Sequence, residues 1–209
     1  MNVPQFTTVH YPESDGRPMG ETDDHRQAMT RIIELLQRHF ATQQVYVSGD
    51  LLLYYEQGNP KKFVVPDAFI VKGKSPINRR TYRLWVEQVA PQLVIETTSK
   101  STKLKDLKTK PEIYAHIGVH EYFLYDPTLD YLDPPLQGQR LVDGHYQAIP
   151  NEPTGGLYSE ELGMELRFDN SQLHLFHRGK QQRLLTEAEA AHEEIERLRA
   201  ELAELRGEK

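Results

Sequence analysis

The run Pro91-Gln92-Leu93-Val94-Ile95-Glu96-Thr97-Thr98-Ser99 constrains this chain more than any other. Leu, Val and Ile in succession, bounded by Pro91, predict a buried strand. Glu96 closes that strand. An ionised carboxylate in such a place is costly unless it is paired or holds a cation. A second acid stands in a similar setting. In Val64-Val65-Pro66-Asp67-Ala68-Phe69-Ile70-Val71 a Pro-Asp pair interrupts a strand-forming run. Pro66 marks a bend or an edge, where a missing amide donor is tolerated. Asp67 either closes a turn or joins Glu96 in supplying the carboxylate oxygens that hard cations prefer. Adjacent strands would bring the two acids together, but nothing in the sequence pairs the strands.

The surrounding pattern is mixed. Residues 1–21, rich in Pro, Gly and polar side chains, read as an extended arm. A helix is predicted over residues 23–41, with Met29, Ile32, Ile33, Leu36 and Phe40 on one stripe and Asp23 and Asp24 at its start. His25 falls on that stripe and reads as a core histidine, with a place lining a metal site as the alternative. Short strand blocks follow at 44–48, 51–55, 63–65 and 68–71. After the Glu96 strand, residues 100–118 read as a helix ending at Gly118, with Pro111 inside it. Asp106, Lys110 and Tyr114 share a face there only if the helix stays regular past Pro111. Another strand, closed by Asp126-Pro127, comes next. Residues 131–180 alternate short strands and turns, with a hairpin tip at Asp143-Gly144, and read as antiparallel additions to the sheet. The order of elements predicts an α/β or α+β fold with a mixed sheet.

The last segment, residues 184–209, differs. Leu184, Ala188, Ala191, Ile195, Leu198, Leu202 and Leu205 alternate gaps in the manner of a heptad seam. Thr186 and Glu189 form a capping-box pattern. This helix is expected to pair with another copy of the chain as a coiled coil or to fold back onto the domain.

Composition narrows the chemistry. The chain of 209 residues has no cysteine, which excludes disulfides and thiolate metal sites. His116 and His120 flank Gly118, so they do not form a helical zinc pair. No secretion signal and no membrane-length apolar run is evident, so the chain reads as soluble and cytoplasmic. Net charge is −6, yet residues 61–110 hold twelve Lys and Arg against four acids, a local +8 in a chain otherwise at −14. Such asymmetry can focus a polyanion onto one surface. Acids able to hold a metal stand just before Lys100, Lys103, Lys105, Lys108 and Lys110. That is the composition expected for metal-assisted phosphodiester cleavage.

Taken in order, Pro66-Asp67, Glu96-Thr97-Thr98-Ser99, Asp106 with Lys110 and Tyr114, Gly118-Val119-His120-Glu121-Tyr122 and Asp126-Pro127 carry a resemblance. The chain resembles the PD-(D/E)XK nuclease superfamily, and more closely its "putative restriction endonuclease" family of bacterial proteins. The resemblance implies a restriction-endonuclease-like mixed β-sheet flanked by helices over residues 22–180. It implies Mg²⁺ (or Mn²⁺) held by Asp67, Glu96 and the backbone carbonyl of Thr97, and hydrolysis of phosphodiester bonds in DNA by an endonuclease, with DNA as partner. The superfamily's lysine two residues after the second acid is Thr98 here. The family resemblance moves the working lysine to the next helix, at Lys110. A strand continuing past Thr98 would offer Lys100 instead. Thr98 also motivates the alternative of a catalytically inactive nuclease-fold protein that binds DNA or assembles proteins. A homodimer through the C-terminal helix or a sheet edge is expected in either case.

Overall fold

The computed structural model describes residues 9–16 and 22–206. The predicted arm therefore lies largely outside the described residues, as does the end of the C-terminal segment. Residues 9–16 have no helix or strand. Tyr11 packs its ring on Tyr54 and Trp85, and Tyr54 donates its hydroxyl to Pro12 O at 2.7 Å.

Helix α1 spans Asp23–His39. Its cap is Thr22, whose hydroxyl accepts from His25 N at 3.3 Å, and Asp23 and Asp24 occupy its first turn. They favour the helix there through the positive end of its dipole. The strands are β1 Val45–Ser48, β2 Leu53–Tyr54, β3 Phe63–Val64, β4 Ala68–Lys72, β5 Tyr82–Arg83 and β6 Leu93–Thr97. A one-turn helix α2, Leu84–Glu87, separates β5 from β6. A π-helical turn, Lys105–Thr109, then runs without a break into α3, Lys110–Ile117. Strands β7 Glu121–Tyr125, β8 Leu136–Val142, β9 His145–Ala148, β10 Leu157–Ser159, β11 Met164–Asp169 and β12 Gln172–His177 follow, and helix α4, Glu187–Arg206, ends the described chain.

The main sheet has the order β1-β4-β6-β7-β8-β9. Its one parallel pair is β6 with β7; the others are antiparallel. Strand β6 sits near the middle and is covered on both sides, which explains its unbroken apolar run. Alternation sorts its residues between two cores. Leu93 and Ile95, with Ile70 and Phe123, pack under Ile32, Leu35 and Leu36 of α1. Val94, with Phe69, Tyr122 and Leu124, packs on the opposite face with Tyr82 and Tyr114.

One expectation is corrected. Of the strands in residues 131–180, only β8 and β9 extend the main sheet, through the hairpin at Asp143-Gly144. Strands β10, β11 and β12 form a separate antiparallel sheet. Leu157, Met164, Leu166, Leu173 and Leu175 of that sheet join the α1 core, so it closes over that core instead of lengthening the main sheet. A third small sheet, β3-β2-β5, is separate in its hydrogen bonding and packs Leu53, Val64 and Tyr82 into the core on the other face of the main sheet. No helix among the described residues is long and apolar enough to cross a membrane.

Candidate active site

Strands β4 and β6 are antiparallel neighbours with Ala68 opposite Ile95. One step further along each strand sets Asp67 against Glu96, on the face that carries Tyr114. The juxtaposition is direct. Asp67 N donates to Glu96 Oε2 at 3.2 Å, and Thr97 N donates to Asp67 Oδ2 at 2.7 Å. The two acids are thus locked reciprocally, each carboxylate held by the backbone of the other strand. Asp67 stands just before β4 begins, where its side chain stays 14% exposed, while Glu96 is fully buried.

Lys110, on the first turn of α3, supplies the cation. Its Nζ lies 2.8 Å from Glu96 Oε2 and 3.0 Å from Asp106 Oδ1. Tyr114, one turn on, donates its hydroxyl to Glu96 Oε1 at 2.6 Å. Asp106, Lys110 and Tyr114 therefore do share a face despite Pro111. The π turn is the physical reason. The proline ring would clash with the carbonyl four residues back, and it has no amide to offer. Widening the preceding turn, with Lys110 N bonded to Lys105 O, accommodates the ring without breaking the helix. Tyr122 fastens the turn to the sheet by donating to Asp106 O at 2.8 Å.

His25 is buried, with Nε2 3.3 Å from Asp67 Oδ2. It is a core residue that also faces the site. Thr98 is buried as well, but its amide bonds Tyr125 O at 2.7 Å and it brings no charge to the cluster. Lys100 does not join. Strand β6 ends at Thr97 and Lys100 lies exposed in the turn that follows.

Two further residues shape the site and carried no evident signal in the chain. Gly49, after β1, is pressed against the Asp67 backbone: a Cβ there would fall 2.0 Å from Asp67 O and 2.6 Å from Ile33 Cδ1. Asp50 donates its amide to Pro66 O at 2.9 Å. Partial burial and then the charge of Asp67 hold its carboxyl above its ordinary value. The Ser48-Gly49-Asp50 turn could have been singled out as a turn, but not as a neighbour of Asp67.

The electrostatics are unbalanced. Burial pushes the Glu96 carboxyl well up; Lys110 pulls it back, and Asp67 and Asp106 push it up again. Burial likewise raises Asp106, against the pull of Lys110. For Lys110, burial opposes the charge, but Glu96, Asp106 and Asp67 outweigh it and hold the ammonium above its usual range. Burial and then the nearby Glu96 raise Tyr114, so its hydroxyl keeps its proton and serves as a donor. Three carboxylates thus surround one ammonium.

Among the described residues no three His, Asp or Glu side chains converge as a ready metal centre. Mg²⁺ asks for less: one or two carboxylates, with waters and phosphate oxygens filling the shell. Asp67 and Glu96 offer such oxygens. Thr97 donates its amide toward Asp67, and the N–H and C=O of one strand residue leave toward the same edge, so its carbonyl faces the same gap. Crowding of acids around one ammonium favours a cation there. The donor set fits such an ion.

A family model named Uma2 and described as "Putative restriction endonuclease" matches residues 4–204. No curated protein matches the chain. Among solved structures the chain is similar to a putative nuclease belonging to DUF820 from Anabaena variabilis ATCC 29413, at 13% identity and a TM-score of 0.49, over 74% of this chain and 86% of that one.

Proposed function

The chain belongs to the Uma2 family, and from that membership together with the cluster at Asp67, Glu96 and Lys110 we propose that it is an endonuclease that hydrolyses DNA phosphodiester bonds with Mg²⁺ (or Mn²⁺) as cofactor. The observation that carries this reading is the Lys110 ammonium lodged 2.8 Å from Glu96, beside Asp67, at the end of the central strands.

Asp67, Glu96 and the Thr97 carbonyl would hold the ion. When bound it polarises a phosphoryl oxygen and lowers the pKa of a water. The protein's own groups do the rest. Tyr114 fixes Glu96 through Oε1 and keeps its carboxylate plane oriented. Lys110 stays protonated, so it does not act as a base. Its role is to orient the attacking water and stabilise charge developing on the phosphoryl oxygens. Asp106 holds Lys110 in place from the other side.

The test is nicking of supercoiled plasmid with Mg²⁺ or Mn²⁺ and with EDTA. Asp67→Ala, Glu96→Ala and Lys110→Ala are each expected to lose activity on the order of a hundredfold or more. Calorimetry should show Mg²⁺ binding lost in the two acid variants. Equal nicking by wild type and all three variants would overturn the proposal. Thr98, in the superfamily's lysine seat, favours a second reading, a DNA-binding module without cleavage. Salt-sensitive DNA binding with no nicking under either ion would select it.

A further inference from the structure

Helix α4 presents an apolar face that nothing in the described chain covers. Ile195, Leu198, Leu202 and Leu205 are 47, 46, 51 and 84% exposed, and no residue of the helix is buried. Its start, by contrast, is fixed to the domain. Leu184 packs against the α1 core. Thr186 and Glu189 close a reciprocal capping box at 2.8 and 3.2 Å. Glu189 pairs with Arg31 at 3.1 Å and Arg183 at 3.3 Å, and Glu187 N donates to Glu34 at 2.7 Å. Beyond this anchor, the ion pairs of Arg197 and Arg199 run only within the helix.

The flanks of the seam say what covers it. With Ala188, Ile195 and Leu202 at a, the d positions are Ala191, Leu198 and Leu205. The g positions are then all acidic: Glu187, Glu194 and Glu201. The e positions are all basic or imidazole: His192, Arg199 and Arg206. In a parallel, in-register pair each g residue meets the e residue of the next heptad on the other helix. Glu187 would then face His192, Glu194 would face Arg199 and Glu201 would face Arg206 of a second copy, and the two-fold axis repeats every contact. An antiparallel pair would set g against g and e against e, placing Glu on Glu and Arg on Arg.

We infer that α4 pairs with α4 of a second copy of this chain in a parallel two-stranded coiled coil. Ile195 at a with Leu198 at d is the choice that favours two strands. A seam this short would be marginal as a free peptide, because starting a helix is unfavourable. Here the capped and tethered first turn supplies the start. The parallel sense also carries both globular domains at the same end of the coil. None of this depends on the nuclease reading.

The chain has no cysteine, so Leu205→Cys introduces a single thiol at the far end of the seam. Full-length wild type at micromolar concentration should have twice the monomer mass by sedimentation equilibrium. The Leu205→Cys chain should form an inter-chain disulfide on mild oxidation; in an antiparallel pair the two thiols would stand roughly 25–30 Å apart. Glu194→Arg with Glu201→Arg should weaken self-association on the order of tenfold or more, as should Arg199→Glu with Arg206→Glu, and mixing the two double variants should restore it. All four positions are exposed, and an unchanged thermal melt of the domain would exclude misfolding. A monomeric wild type would overturn the inference. So would a dimer that fails to cross-link at position 205, or one indifferent to the charge reversals.

Discussion

At the scale of single residues, the site is a balance between burial and charge. Glu96 is fully buried and its carboxyl is pushed above its ordinary value of 4.5, first by that burial. The folded, metal-free chain therefore holds a proton that the unfolded chain releases. Its stability is fullest below the unfolded carboxyl's pKa and declines as pH rises through the raised folded value. Mg²⁺ competes with that proton, so its stabilising effect should grow over the same range. Thermal melts in EDTA and in Mg²⁺, from about pH 5 to about pH 9, should diverge upward, and Glu96→Gln should flatten both curves. A wild type whose melts ignore both pH and Mg²⁺ would remove Glu96 from the site. Gly49 makes a separate prediction. Because a Cβ would meet Asp67 O at 2.0 Å, Gly49→Ala must push the loop off Asp67. It should cost about 1–3 kcal/mol in urea unfolding and lower nicking well beyond what that instability explains. Asp67 and Glu96 were legible in the chain because a charge attached to an apolar run is expensive and invites an explanation. His25 was legible only as an alternative to a plain core position, and Gly49 and Asp50 were not legible at all. They depend on which loop closes over which strand end, and no local pattern encodes that.

At the scale of elements, what the sequence conveys is which faces are buried, not which edges meet. The blocks that became β1, β4, β6 and β7 are readable from β-branched and aromatic runs. Strand β11 (MELRFD) alternates apolar and polar residues more cleanly than β8 (LQGQRLV), yet it is β8 that extends the main sheet while β10 to β12 build their own. Alternation reports that one face is buried, not which strand lies alongside. The helix carrying Lys110 shows a similar gap. Pro111 looks like an interruption, but a π turn takes up the strain and brings Lys110 to both Glu96 and Asp106. If the ring is what keeps the turn wide, Pro111→Ala should let a regular helix form and rotate Lys110 away from Glu96. The expected result is a stability change within about 1 kcal/mol together with a nicking rate lowered on the order of tenfold. Full activity in Pro111→Ala would show that the sheet contact of Tyr122, not the ring, sets the turn.

At the scale of the whole molecule, charge asymmetry is a property visible in the chain whose placement depends on the fold. Of the twelve cations in the segment at +8, Lys72, Lys74 and Arg79 are paired with Glu161 and Glu87. Lys100, Lys105 and Lys108 are exposed, and Lys103 partly so, on the turn and helix that lead directly to Lys110. Leu104, 71% exposed, stands among them. On the proposed function, a polyanion following these lysines would be led toward Asp67 and Glu96. If all four lysines meet phosphates, log K against log salt should fall with a slope of about −3 to −4 for duplex DNA. Lys103→Ala with Lys105→Ala should shrink that slope by about 2 and weaken binding alike for unrelated sequences, since phosphate contacts carry no base information. Fluorescence anisotropy on two unrelated duplexes, with Ca²⁺ replacing Mg²⁺ to suppress turnover, would measure both effects. A slope unchanged in the double variant would move the DNA path off this helix. The arginines Arg80 and Arg83 beside Tyr11 would then be the next place to substitute.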